Sequence, residues 1–120
     1  MAKILIVEDN EMNMRLFSDL LKTKGYKITE CLDGLQALDL AKSIKPDLIL
    51  MDIQMPKISG LAVTAQIRET PEIADTKIVA VSAFAMKGDE EKILSAGCDA
   101  YISKPISIPL FFQTVEDNLK

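Results

Sequence analysis

Apolar residues along this chain follow two rhythms. Lys3-Ile4-Leu5-Ile6-Val7 and Leu48-Ile49-Leu50-Met51-Asp52 are short, nearly unbroken apolar runs, the pattern of strands buried on both faces. Ile78-Val79-Ala80-Val81-Ser82 and Ala100-Tyr101-Ile102-Ser103 read the same way, whereas Lys27-Ile28-Thr29-Glu30-Cys31 alternates as an edge strand does. Between them the period lengthens to that of a helix. One helix is predicted from Asn10 or Glu11 to Lys24, with Leu16, Phe17, Leu20 and Leu21 on one stripe and Gly25 ending it. After an Asp33-Gly34 turn a second runs from Leu35 to Lys45, with Leu38, Ala41 and Ile44 spaced three apart and Pro46 as its stop. Ser59 caps a third from Gly60 to about Glu69, and Asp89 to Ala96 is a short polar fourth with Gly97 behind it. Ser107 caps the last, which has Pro109 in its first turn, Phe111, Val115 and Leu119 on the core stripe, and Phe112 turned about 100° from Phe111.

Regular alternation of buried strand and helix predicts an α/β fold, a parallel sheet doubly wound with helices on both faces. In such a sheet the ligand site lies beyond the carboxyl ends of the strands, at the switch point. With 120 residues, 48% apolar and 27% charged, the chain suits one globular domain spanning 1–120 and is not disordered. The longest apolar runs are far short of the ~18 residues a membrane span needs. The first run is cut by Glu8-Asp9, which is not a signal peptide, so a cytoplasmic location is expected. A net charge of −4 without a basic patch disfavours nucleic-acid binding. The absence of histidine excludes Ser-His triads, His metal sites and a phosphohistidine carrier. Cys31 and Cys98 form no CxxC pair and read as free thiols in a reducing compartment.

Chemistry gathers at the predicted strand ends. Glu8 and Asp9 follow the first strand and Asp52 ends the third. If these strands are neighbours, three carboxylates converge, and carboxylates sharing a crevice raise one another's pKa unless a hard divalent cation such as Mg²⁺ relieves them. Ser82 ends the fourth strand with a hydroxyl, and Lys104 follows the fifth with a cation. Acids, a metal, a hydroxyl and an ammonium around one point suit a phosphoryl group. Each taken singly has an ordinary alternative: a helix-entry turn, a loop-bonding carboxylate, a satisfied hydroxyl, a solvated lysine.

The stretches Ile4 to Asn10, Asp47 to Pro56, Ser59-Gly60, Ser82-Ala83 and Lys104-Pro105 resemble, in order and over the whole chain, the CheY-like receiver domain of two-component response regulators. The stretches 53–60, 83–91 and 101–107 more narrowly resemble single-domain regulators of bacterial cell division and polarity. The resemblance implies a (βα)5 flavodoxin-like sandwich whose five-stranded sheet has the order 2-1-3-4-5. It implies Asp52 as phosphoacceptor, Asp9 as direct metal ligand, Glu8 as an acid acting through metal-bound water, and the Gln54 carbonyl as the third protein ligand of Mg²⁺, with Mn²⁺ as a substitute. It also implies Ser82 and Tyr101 as switch residues, Lys104 as the phosphoryl-contacting lysine, and a cis Lys104–Pro105 bond. Ser59 stands where the family usually has Asp, and Ser82 where Thr is commoner.

The function this implies is that of a stand-alone phosphorelay switch rather than an enzyme acting on external substrates. A histidine kinase or phosphotransferase would phosphorylate Asp52, and a downstream protein would read the face formed by the last two helices and the fifth strand. An excised receiver of a longer regulator is the alternative. A Mg²⁺-dependent phosphohydrolase lacks room for a cap domain, a flavodoxin-like carrier would not place Glu8-Asp9-Asn10 against FMN phosphate, and the intact site argues against a mere scaffold. Resemblance further places Phe84 and Gln54 beside the route of hydrolytic water, with Phe84 expected to shield the phosphoryl group. Phe112 is expected to be a partly exposed partner anchor near Tyr101, or else to pack at the flank of the core.

Overall fold

The computed structural model describes residues 2–83 and 87–120. Five strands, β1 (Lys3–Val7), β2 (Lys27–Cys31), β3 (Leu48–Asp52), β4 (Lys77–Ser82) and β5 (Ala100–Ser103), form one parallel sheet in the order β2-β1-β3-β4-β5. The helices are α1 (Glu11–Lys22), α2 (Ala37–Ile44), α3 (Gly60–Arg68), α4 (Lys87–Ser95) and α5 (Ile108–Leu119). This is the expected doubly wound architecture, with the alternating strand β2 at one edge.

The inner strands show why their runs read as continuously apolar. Leu5, Val7, Ile49, Met51, Ile78 and Ala80 face one way and meet Ala37, Ala41, Val63, Ile67 and Ile93 from α2, α3 and α4. Ile4, Ile6, Leu48, Leu50, Val79 and Val81 face the other way and meet Met14, Phe17 and Leu21 of α1 and Phe111 and Val115 of α5. Successive side chains on a strand alternate faces, so two covered faces demand two interleaved apolar sets. Phe17 stacks on Phe111 with ring centroids 5.5 Å apart, which joins α1 to α5.

Element boundaries differ from expectation where local chemistry intervenes. α1 stops at Lys22, with Thr23 as its C-cap and Gly25 at φ 84° carrying the turn. The start expected at Leu35 is a 3₁₀ turn (Gly34–Gln36) whose Asp33 carboxylate accepts the Leu35 N–H, and α2 proper begins at Ala37. Lys45 is the left-handed C-cap of α2 at φ 47°, and Pro46 behind it cannot continue the helix. α4 begins two residues before Asp89.

The buried stripe of α1 is Met14, Phe17, Ser18 and Leu21. Leu16 is exposed and Leu20 half-buried, so the stripe expected from Leu16, Phe17, Leu20 and Leu21 is rotated. α1 thus carries a second apolar row, Met12, Leu16 and Leu20, on its solvent side. Among the described residues no helix is long and apolar enough to cross a membrane.

Candidate functional site

The register sets the site. Val7 pairs with Met51, Asp52 with Val81, and Ser82 with Ser103, so the carboxyl ends of four strands line up along one edge. Glu8, Asp52, Ser82 and Lys104 follow from that alignment. β1 and β3 are the adjacent strands from which the chain winds in opposite directions, the switch point at which α/β sheets bind ligands.

Glu8 and Asp52 are buried, at 1% and 3% exposure, while Asp9 is partly open to solvent. One carboxylate oxygen from each of the three lies within 4.8 Å of the others. Lys104 Nζ reaches in from the β5–α5 loop, 3.1 Å from Glu8 Oε1 and 3.4 Å from Asp52 Oδ1. Its peptide bond to Pro105 is cis, as the resemblance implied. Backbone donors add to this: Gln54 N–H donates to the same Asp52 Oδ1 at 3.2 Å and Asn10 N–H to Glu8 Oε2 at 3.2 Å. One ammonium shared between two buried acids leaves negative charge in excess. Burial first, then the adjoining Glu8 carboxyl, push Asp52 up to about 7, against the pull of Lys104 and the Gln54 N–H. A hard, oxygen-rich donor set with surplus negative charge fits a cation of the Mg²⁺ type.

Ser82 is fully buried at the end of β4. Tyr101 is half-buried and packs on the sheet face covered by α2, α3 and α4. Its hydroxyl pKa is raised, by burial and then by the charges of Asp89 and Glu90 in the first turn of α4. Phe112 lies on the other face of the sheet, half-buried against α1, with Lys24 Nζ 4.7 Å from its ring centroid. It packs at the flank of the core and is not a neighbour of Tyr101. Phe84 lies outside the described residues.

Two features of the site were not read from sequence. The Gly60 N–H donates to the Ile53 carbonyl at 3.0 Å, and a Cβ built at Gly60 would overlap the Asp52 carbonyl oxygen. α3 therefore starts hard against the main chain of the acceptor residue, and only glycine permits that approach. The pair Ser59-Gly60 was visible, but only its capping role. The second feature is the apolar surface around the site. The row Met12, Leu16 and Leu20 flanks a groove of about 470 Å³, lined by Asn13, Leu16, Phe17, Ala83, Lys104, Pro105 and Ile106. Its signal was present: Met12, Leu16 and Leu20 recur at i, i+4 and i+8, beside the core stripe.

Residues 4–116 match the model of the response regulator receiver domain, and the chain belongs to that family. It is 54% identical over 116 residues to the polar-differentiation response regulator DivK of Brucella anthropi, an alignment covering 97% of this chain and 94% of that one. Among solved structures it resembles the receiver domain of the Pseudomonas aeruginosa sensor histidine kinase PA1611, a structure with a magnesium ion coordinated in its active-site cleft. The two superpose with a TM-score of 0.90 at 33% identity, over 98% of this chain and 97% of that one. The chemotaxis protein CheY4 of Vibrio cholerae shares the fold with a TM-score of 0.92 at 24% identity, over 99% of both chains.

Proposed function

We propose that this receiver is a stand-alone cytoplasmic phosphorylation switch, taking a phosphoryl group onto Asp52 from a histidine kinase or phosphotransferase in the control of bacterial cell division and polarity. The observation that carries this reading is the Glu8, Asp9 and Asp52 cluster facing Lys104 at the β1/β3 switch point. Similarity to DivK supports the cellular role.

In the proposed step an oxygen of the ionised Asp52 carboxylate attacks phosphorus in line, forming an acyl phosphate. The P–N bond of a phosphohistidine donor breaks, its electron pair goes to the imidazole nitrogen, and no other oxidant or acceptor is needed. Glu8, Asp9, Asp52 and the Gln54 carbonyl would hold Mg²⁺, which when bound supplies charge neutralisation to the phosphoryl oxygens. Lys104 is already placed to shift from the Asp52 oxygen to a phosphoryl oxygen. The Gln54 N–H orients the acceptor carboxylate, and burial of Asp52 and Glu8 limits the water that would dissipate the charges. After transfer, Ser82 donates to a phosphoryl oxygen, and Tyr101 follows into the space vacated. The face formed by α4, β5 and α5 is biased by that movement and is read by a downstream protein.

The donor is a protein, and the exposed Met12 and Leu16, with half-buried Leu20, beside the Lys104 groove support docking of a donor helix there. A single experiment tests the assignment. Incubation with acetyl phosphate and Mg²⁺, read by intact mass, should add one phosphoryl group to the native protein and none to Asp52→Asn. Labelling of Asp52→Asn at the native level, or labelling undiminished by a chelator, would overturn it.

A further inference from the structure

The turn between β2 and α2, residues 32–36, gives no carboxylate to the cluster of Glu8, Asp9 and Asp52. With the end of β2, it nevertheless bears on the main chain to either side of that cluster. The Cys31 carbonyl accepts the Glu8 N–H at 3.0 Å. The turn itself is fixed from within. The Asp33 carbonyl accepts the Gln36 N–H at 3.0 Å and the buried Cys31 thiol at 3.1 Å, and the Asp33 carboxylate accepts the Leu35 N–H at 3.0 Å.

Gly34 makes the other contact. It is buried, it begins the 3₁₀ turn, and its φ is not positive, so its backbone conformation is open to any residue. An alanine there would lose less conformational entropy on folding. What excludes a side chain is the loop after Asp52. A Cβ built at Gly34 would stand 2.9 Å from Ile58 Cγ2 and 2.9 Å from Met55 Cε, with Met55 Sδ at 3.3 Å. The Met55 methyl ends a flexible chain and can swing aside, but Ile58 Cγ2 sits on a branched carbon with a stiff χ1. The loop is tightly bent at that point: Ile58 N–H donates to the Pro56 carbonyl at 2.7 Å, and Lys57 has φ 69°. Its base is pinned. Ile53 N–H donates to the Val81 carbonyl at 3.1 Å, and the Ile53 carbonyl accepts the Gly60 N–H at 3.0 Å. A push on Ile58 is therefore absorbed between 54 and 59. That segment includes the planar peptide unit joining Gln54 to Met55, whose carbonyl is the proposed Mg²⁺ ligand.

We propose that Gly34 is a positioning residue of the metal site: it seats Ile58 and Met55 where its own side chain would be, and so sets the aim of the Gln54 carbonyl, while the Cys31 carbonyl beside it holds Glu8. This rests on the reading of the acid cluster as a Mg²⁺ site, but the seating is a property of the metal-free protein. Carbon atoms in ordinary contact stand about 3.5–4.0 Å apart, so a methyl group at position 34 would displace Ile58 by roughly 0.6–1 Å. That exceeds the roughly 0.5 Å within which a preorganised ligand set works. Groups that orient a metal ligand without touching the metal are worth roughly 10–100-fold in affinity. The lower end of that range is expected here, because one ligand of the set is disturbed and none is removed.

The test is calorimetry of Mg²⁺ binding to the native protein, Gly34→Ala, Ile58→Ala and the double variant, with the Gln54 carbonyl ¹³C resonance read in a chelator. Gly34→Ala should weaken Mg²⁺ binding roughly tenfold and shift that resonance. Ile58→Ala empties the seat and should weaken binding less. In the double variant the new methyl group enters the space left by Ile58 Cγ2. Its affinity should exceed that of Gly34→Ala, and its Gln54 resonance should return toward the native position. A role confined to fold stability would lower the urea midpoint of Gly34→Ala and leave affinity and resonance unchanged, which would overturn the proposal. A double variant binding no more tightly than Gly34→Ala would overturn it too. If Gly34→Ala does not fold, the double variant is set against Ile58→Ala: tighter binding in the double variant supports the seating, and equal or weaker binding overturns it. Absence of Mg²⁺ binding by the native protein would refute the metal-site reading instead, and the resonances in the chelator then decide the seating.

Discussion

Replacing Asp52 by Asn should make the metal-free protein more stable, by an amount that depends on pH. In the folded chain the Asp52 carboxyl titrates at about 7 instead of the ordinary 3.8. Each pKa unit corresponds to about 1.4 kcal/mol, so keeping Asp52 ionised at neutral pH costs the fold about 4 kcal/mol. The sign follows from proton affinity. The folded state binds the Asp52 proton more tightly than the unfolded chain does. The stability this lends is fully present below about pH 3.8 and is lost as pH rises through about 7. Asn is the uncharged analogue of the protonated acid and can still accept the Gln54 N–H. The Asp52→Asn protein therefore escapes that loss, and its advantage should be near zero at pH 4, grow through pH 5 and 6, and level off above pH 8.

For a chain of this length the entropy of unfolding makes 1 kcal/mol worth about 4 °C, so the plateau corresponds to about 16 °C in Tm. The assay is thermal and urea unfolding of both proteins in a chelator, from pH 4 to 8.5. Mg²⁺ at ten times its dissociation constant should add about 1.4 kcal/mol to the native protein and narrow the gap. Glu8→Gln should recover part of the same advantage, since the Glu8 carboxyl is the main neighbour holding Asp52 up. A gap that is flat with pH, or one that closes as pH rises, would refute the view that Asp52 is held at an electrostatic cost.

Three further outcomes follow from the packing. Lys104→Met withdraws the cation standing 3.1 Å from Glu8 and 3.4 Å from Asp52. It should slow labelling by acetyl phosphate at least roughly tenfold, and should destabilise the metal-free fold by about 2–3 kcal/mol in urea titrations. Gly60→Ala forces a methyl group against the Asp52 carbonyl and should cost about 1–3 kcal/mol, with a fall in Mg²⁺ affinity measured by calorimetry. Phe111→Ala empties a fully buried ring site and should cost about 3–5 kcal/mol, whereas Phe112→Ala removes a half-buried ring under Lys24 and should cost about 1 kcal/mol. Equal losses in the two phenylalanine variants would contradict the assignment of Phe111 to the core and Phe112 to its flank.

The fold was legible because two covered sheet faces leave a coarse imprint. Ile4 to Val7 and Leu48 to Met51 had to be apolar at every position, and that constraint survives in a bare string of letters. The convergence of Glu8, Asp9 and Asp52 was legible for a related reason, since strand ends in a parallel sheet share one edge. The strand order that makes β1 and β3 neighbours came from family resemblance, because periodicity does not encode which strands pair. Helix rotation was less legible. α1 carries two apolar rows, Met14, Phe17 and Leu21 inward and Met12, Leu16 and Leu20 outward, and hydropathy alone does not say which row is the core. Phe112 was misplaced relative to Tyr101 because Tyr101 packs on the sheet face opposite to the one that α5 covers.

Arg68 shows where one-dimensional reading fails more fundamentally. In the sequence it is a basic residue in the last turn of a predicted helix, where favourable interaction with the helix dipole is explanation enough. In the fold it serves four acceptors, three of them main-chain carbonyls at 74, 76 and 97, positions without any side-chain signature. Carbonyl recognition of this kind leaves no trace in the residue types of the partners. The one trace it does leave is indirect. Gly97, which looks like an ordinary helix stop, also leaves room for Arg68, since a Cβ there would stand 3.0 Å from its Cγ. Chemistry at the acidic edge can be read from side chains, because side chains perform it. The tie that Arg68 makes between α3 and the turn before β5 cannot be read that way, because its main-chain acceptors are groups that every residue carries.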